Sequence, residues 1–195
     1  QKNSPFCLLY HHKAPHRAWL PAERHFREFV GKTFPEPATL FDDYKGRGKA
    51  ALESEMNVLE DMNWSADSKL YPEVMTELGI EETLDWGINA FRNRTGRMNE
   101  EQKAAWDEVY GPVNEAFKEQ YPEMDERDVM KWRYQRYMQD YLACIAAVDE
   151  GVGRVLDYLE ERRVSREHVE EKIRDAVDDG LLAGGEGEFR VGMSP

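Results

Sequence analysis

Between Asp128 and about Glu161 the apolar positions Met138, Tyr141, Ile145, Val148, Val152, Val155 and Leu159 recur at intervals of 3, 4, 3, 4, 3 and 4. That spacing puts them on one face of a long helix. Gly151 and Gly153 each cost about 1 kcal/mol relative to alanine inside a helix, so they are expected where the backbone packs closely on a neighbour. The stripe lacks the ordered flanking charges of a coiled coil. It therefore predicts a long helix lying on a sheet.

The rest of the pattern is shorter in range. Phe6 to Tyr10 is a run of five apolar residues opening into a polar, proline-containing loop, and it predicts a buried strand. Open α/β proteins place functional residues where a strand ends in such a loop. Pro21, Pro35 and Pro37 punctuate the next stretch, and "FPEPATLFDDYKGRGKA" reads as an extended surface loop. Leu52, Met56 and Leu59 predict a helix over Lys49–Met62. From Asn63 to Arg97 the pattern is mixed, with short helices expected in "YPEVMTELGI" and "EETLDWGINAFRNRTGR". Asn99 is placed to cap a helix whose first turn carries Glu100 and Glu101 and which runs to about Glu119. The tail changes character: Val169, Ile173 and Val177 mark an amphipathic helix ending at Gly180, and "LLAGGEGEFRV" reads as a turn and a short strand. This order is like the last helix and wing of a winged-helix domain, but the helix is too acidic for DNA.

Composition narrows the classes. The chain has 195 residues, 33% charged and 41% hydrophobic, which suits one globular domain or a piece of a larger one. A net charge of -13, with no basic stripe interleaved with aromatics, argues against nucleic acid. No segment has the roughly 18 to 20 apolar residues that span a bilayer, and the first apolar run is too short for a signal peptide. The abrupt opening "QKNSPFCLLY" reads as though cut from the middle of something longer. Cys7 and Cys144 sit in apolar contexts and read as buried thiols rather than a disulfide framework or a zinc ribbon. Asn63-Trp64-Ser65 and Asn93-Arg94-Thr95 are glycosylation sequons.

The candidate chemistry lies in "FCLLYHHKAPHRAW". A metal site needs convergent ligands, usually with carboxylate or thiolate help, and no Asp or Glu occurs between Phe6 and Ala22. A nucleophilic triad has no suitable setting around Ser4 or Cys7. An anion-binding or proton-transfer role fits Lys13, His16 and Arg17, which form a compact cationic loop. Composition alone favours a solvated basic loop.

The segment "PFCLLYHHKAPHRAWLPAERH" resembles the sulfatase family, in which a core strand ends in a loop of the form H-K-x-P-H. "TLFDDYKGRGKAA" and "MKWRYQRYMQDYLACIAAVDEGVGRVLDYLEE" resemble later segments of the same family, in the same order. The nearest subgroup acts on N-acetylglucosamine 6-sulfate or aryl sulfates, and the likeness covers roughly residues 4 to 161. The resemblance implies an α/β fold, a fragment of an alkaline-phosphatase-like α/β/α sandwich, mostly helical in this chain and followed by a short helix-turn-strand tail. It implies a partial sulfatase domain over 1–162 and an unmatched tail over 163–195. It also implies a sulfate ester as substrate, a formylglycine nucleophile, and calcium on the sulfate oxygens. His16 matches the histidine that contacts sulfate and protonates the leaving oxygen. His12 and Lys13 match the start of the loop and are expected to shape it or touch substrate. Asp149 is expected to be structural.

The departures set the limits of that likeness. Neither C-x-P-S-R nor S-x-P-S-R occurs, and the upstream Asp pair that would hold calcium is missing. After "RVLDYLEE" the chain turns to "RRVSREHVEEKIRDAVDDG" instead of the family's metal-binding segment. The expectation is thus a sulfatase segment that is inactive alone, periplasmic or extracellular by family. Its apolar helix face needs a sheet to cover it, and so offers a surface for self-association. The competing expectation is a non-catalytic helical interaction protein derived from such a fragment.

Overall fold

The computed structural model describes residues 8–54 and 56–162. Their α-helices are α1 (Phe26–Phe29), α2 (Lys49–Leu52), α3 (Pro72–Leu78), α4 (Gly87–Thr95), α5 (Glu100–Gln120) and α6 (Glu126–Glu161). Short 3-10 turns precede α1 and follow α5, at Glu23–His25 and Tyr121–Glu123. By contacts the chain divides into two compact units, Gln1–Asp149 and Glu150–Pro195. Of the second unit only 150–162, the end of α6, are among the described residues.

Helix α5 begins where its first residues can satisfy their own amides. The Asn99 side chain accepts from the Gln102 amide at 2.8 Å, and Gln102 Oε1 accepts from the Asn99 amide at 3.1 Å. Glu100 and Glu101 stand at the positive end of the helix dipole. The buried face of α5 carries Trp106, Val109, Tyr110, Asn114 and Phe117. It divides the core between two apolar clusters. One gathers Phe26, Trp106, Val109 and Tyr110, and the other Trp64, Leu70, Val74, Met75 and Phe117, with Tyr71 packed against both. Asn114 ties the incoming segment to this helix: its Oδ1 accepts from the Tyr71 amide at 2.7 Å, and its Nδ2 donates to Lys69 O at 3.0 Å. Helix α3 then starts on Pro72, which has no amide to satisfy, and ends at Gly79, whose φ of 67° is the left-handed turn that closes a helix.

The described chain is mostly helical, as expected. Several details differ from the sequence expectations. Leu8 to Tyr10, the described part of the predicted strand, is irregular and exposed. A strand needs a neighbour for its amides and carbonyls, and the described residues contain none. The helix predicted over Lys49–Met62 stops at Leu52. Asn57 Oδ1 accepts from the amides of Leu59 and Glu60, at 2.9 and 2.8 Å, and this local alternative outcompetes helix hydrogen bonds.

Helix α6 is present at the expected length, but its fully buried face is not the apolar stripe. Buried instead are Arg133, Arg136, Gln139, Asp140, Ala143 and Cys144. Met138, Tyr141, Ile145 and Val148 are half-buried, while Val152 is exposed. A Cβ at Gly153 would meet nothing within 4 Å, so close packing at that glycine is absent among the described residues. Asp149 is exposed on α6. Burial pushes the Cys144 thiol up to about 11, although Lys69 draws it down, so at neutral pH it behaves as the expected inert thiol. Cys7 and the predicted tail helix and strand lie outside the described residues.

Candidate functional site

The histidine segment forms a turn on the surface. The His16 amide donates to Lys13 O at 3.0 Å, so the proline-containing tetrad closes on itself. His11, His12, Lys13 and His16 are all exposed. His12 stands edge-on to Tyr10, with ring centroids 4.5 Å apart. The next residues bind the turn to the body. Ala18 is buried. Trp19 Nε1 donates to Pro15 O at 2.9 Å, and its ring meets Tyr137 of α6 edge-on at 4.6 Å.

Arg17 does not share the outward orientation. Its Nε donates to Asp67 Oδ2 at 2.9 Å, Nη2 to the same oxygen at 2.6 Å, and Nη1 to Asp61 Oδ2 at 2.8 Å. Nη2 also reaches Asp61 O. The guanidinium lies 5.0 Å from the ring centroid of Trp86. Burial alone would lower its pKa; the hydrogen bond and charge of Asp67, then those of Asp61, reverse this and hold it above its ordinary value. The compact cationic loop expected from the sequence therefore loses one member. Two carboxylates consume the charge of Arg17, and only Lys13 and His16 remain to face an anion.

Beneath the turn, Met62 to Leu70 are all buried, in a stretch whose sequence pattern is merely mixed. Some of its polar groups find partners within the fold, while Asn63 Nδ2, Asp67 Oδ1 and Ser68 Oγ are buried without one among the described residues. Glu82 Oε1 accepts from the Trp64 amide at 2.6 Å, and Oε2 accepts from the Ser65 amide at 3.1 Å and from Ser65 Oγ. Asn63 Oδ1 accepts from the Leu84 amide at 2.8 Å. Arg133 of α6 stacks over Trp64 and donates to Leu59 O at 2.7 Å. Burial pulls its guanidinium down to about 10, with Glu82 and Asp67 opposing, so it stays charged at neutral pH. No signal of period 2 or 3.6 could have found this loop; the only hint was Asn, Ser and Asp interleaved with apolar residues.

Gly87 at the start of α4 lets these pieces meet. A Cβ there would lie 2.5 Å from Glu82 Oε2 and 2.7 Å from Asn63 Cγ. Both side chains are held by hydrogen bonds and cannot yield cheaply. Gly87→Ala is therefore expected to cost about 1–3 kcal/mol by overpacking, measured as a lower urea midpoint at unchanged slope.

Among the described residues no group of three or more His, Cys, Asp or Glu is arranged to hold a metal ion. Asp61 and Asp67, the carboxylates nearest the turn in the hydrogen-bond network, are engaged by Arg17. The described residues thus do not fit the calcium that the resemblance implies. An open groove of about 740 Å³ lies between residues 37–44, 56–60 and the first half of α6. Asp42, Asp43, Glu60 and Glu126 line it against one cation, Arg127, so its charge opposes a sulfated ligand. Among the described residues no helix is long and apolar enough to cross a membrane.

No family model matches the chain. It is similar to an N-acetylglucosamine-6-O-sulfatase of Bacteroides thetaiotaomicron, 43% identical over 159 residues that make up 82% of this chain and 27% of that protein. It is also similar to a solved structure of a protein in complex with its substrate D-glucosamine-2-N,6-O-disulfate. There the TM-score is 0.70 and the identity 41%, covering 83% of this chain and 31% of the other. The chain thus spans between a quarter and a third of the proteins it matches.

Proposed function

From its homology to the sulfatase family, which runs over 82% of the chain, we propose that this chain is a segment of a sulfatase hydrolysing a sugar or aryl sulfate ester. On this reading residues 1–162 are part of the sulfatase domain and 163–195 are a tail of separate character. The observation that carries the proposal is the 43% identity together with an exposed turn that offers His16 and Lys13 to an anion. A sulfate ester bears its negative charge on non-bridging oxygens, and its alcohol leaves as an alkoxide unless a proton reaches it. Lys13 is suited to the first task, and His16 to contacting sulfate and protonating the leaving oxygen. His12 shapes the start of the turn. The sequence contains neither the formylglycine motif nor the calcium ligands of the family, so the purified chain is expected to turn over no aryl sulfate. Those parts, and a periplasmic or extracellular setting, belong to the complete enzyme.

The test exchanges this chain for the matched segment of the N-acetylglucosamine-6-O-sulfatase. The chimera should hydrolyse sulfate esters, and His16→Ala should lower kcat on the order of a hundredfold. An active chimera indifferent to His16→Ala removes the role given to that residue. An inactive but folded chimera favours a second reading, a non-catalytic helical interaction protein derived from a sulfatase. One observation supports that second reading: Val152 and Leu156, one helical turn apart, are exposed among the described residues, a surface available to self-association.

A further inference from the structure

The geometry points to Arg17 as a positioning residue that, anchored by Asp67, fixes the tautomer of His16 and turns Nε2 toward the substrate. The inference rests on the sulfatase reading for its functional meaning, but its physical content can be measured separately.

The His16 ring is exposed, and its hydrogen bond runs from Nδ1 to Arg17 O at 2.5 Å. A backbone carbonyl can only accept, so Nδ1 carries the hydrogen and the neutral ring keeps its lone pair on Nε2. An exposed histidine in a loose loop would not hold this arrangement. Here the residue that carries the carbonyl is anchored. Its side chain is gripped along two edges by Asp67 and Asp61 and covered on one face by Trp86. Asp67 is itself immobile: it is 0% exposed, and the same Oδ2 that holds Arg17 accepts from the Asn63 amide at 2.7 Å. On either side of His16, Trp19 binds Pro15 O and Ala18 is buried. The chain of constraint runs from the buried loop through Asp67 and Arg17 to one carbonyl, and from that carbonyl to the imidazole. The fork matters more than the charge, because a lysine cannot bind two carboxylates along two edges.

The experiment is a long-range ¹H–¹⁵N correlation spectrum of this chain with labelled histidine, at about pH 8.5 where an unperturbed imidazole is neutral. His16, assigned by His16→Gln, should show the Nδ1–H pattern. In Arg17→Lys and in Asp67→Asn its two nitrogen resonances should exchange character to the Nε2–H pattern, while His25, whose Nδ1 faces Glu28, stays unchanged. The wild-type spectrum decides even if a variant does not fold. An Nε2–H His16 in the wild-type chain overturns the inference, as does an Nδ1–H pattern that persists in folded Arg17→Lys. The role of His16 in hydrolysis is decided by turnover of the chimera, so either statement can fail while the other stands.

Discussion

Asp140→Ala is expected to destabilise the chain by about 3–5 kcal/mol, the usual cost of stripping the partner from a buried charge. Asp140 is the only acid among the buried groups of α6. Its Oδ2 accepts from Arg136 Nη2 at 2.8 Å, its Oδ1 accepts from Tyr110 OH at 3.0 Å, and Lys69 Nζ lies 3.8 Å away. Removing it leaves two cations and a phenol in the interior. Burial already lowers the Lys69 pKa, and Asp140 is the strongest influence raising it. In the variant the folded-state pKa falls further below the unfolded value. The unfolded chain then binds more protons across that window, so stability rises with pH there. The deficit against wild type should be full at low pH and shrink as pH climbs toward the ordinary lysine value. Urea unfolding at several pH values checks both size and slope. A loss below about 1 kcal/mol at neutral pH contradicts the role given to Asp140. Replacing Lys69, Arg136 and Asp140 together by apolar residues of similar volume should cost little or nothing.

Trp106→Ala should cost a similar amount, about 3–5 kcal/mol, for a different reason. Trp106 is 1% exposed and stands where three elements meet. Its ring contacts Phe26 of α1 at 5.6 Å, Phe91 of α4 at 6.2 Å and Tyr110 of α5 at 4.2 Å. The aromatic rings around it cannot collapse into the space of an indole, so a cavity remains. With a urea slope of about 1–3 kcal/mol per molar, the midpoint should fall by at least about 1 M. Trp106→Phe should recover most of the loss. Trp86→Ala, at a position 41% exposed, is the control and should move the midpoint little.

The two sites also explain what the sequence could and could not disclose. Helix α5 was legible because Asn99 is placed to cap it, with Glu100 and Glu101 in its first turn. The length of α6 was legible from its apolar spacing, but not its buried face. Periodicity ranks side chains by hydropathy, and here Arg133, Arg136 and Asp140 are buried because the 59–70 segment and Tyr110 of α5 supply partners for them. Those partners lie up to 74 residues away in sequence, beyond the reach of any window. At the candidate site, the turn around His16 was legible from its residue types. The inward course of Arg17 was not, because an arginine in a basic stretch looks alike whether it faces a ligand or two carboxylates. The strand predicted at Phe6–Tyr10 shows the converse limit: five apolar residues mark a segment fit for a sheet, but the described residues supply no strand to pair with it.

The buried loop carries a consequence for how the protein can be produced. Asn63 is the acceptor of the Asn63-Trp64-Ser65 sequon, and it is 0% exposed, with its Oδ1 bound to the Leu84 amide and its Nδ2 enclosed. An oligosaccharide on that nitrogen has no room in the folded chain. Glycosylation at Asn63 and the native loop are therefore mutually exclusive states. In a secretory host that attaches sugars before folding is complete, modification would divert the chain irreversibly, whereas Asn93, exposed on α4, could carry a glycan without disturbing the core.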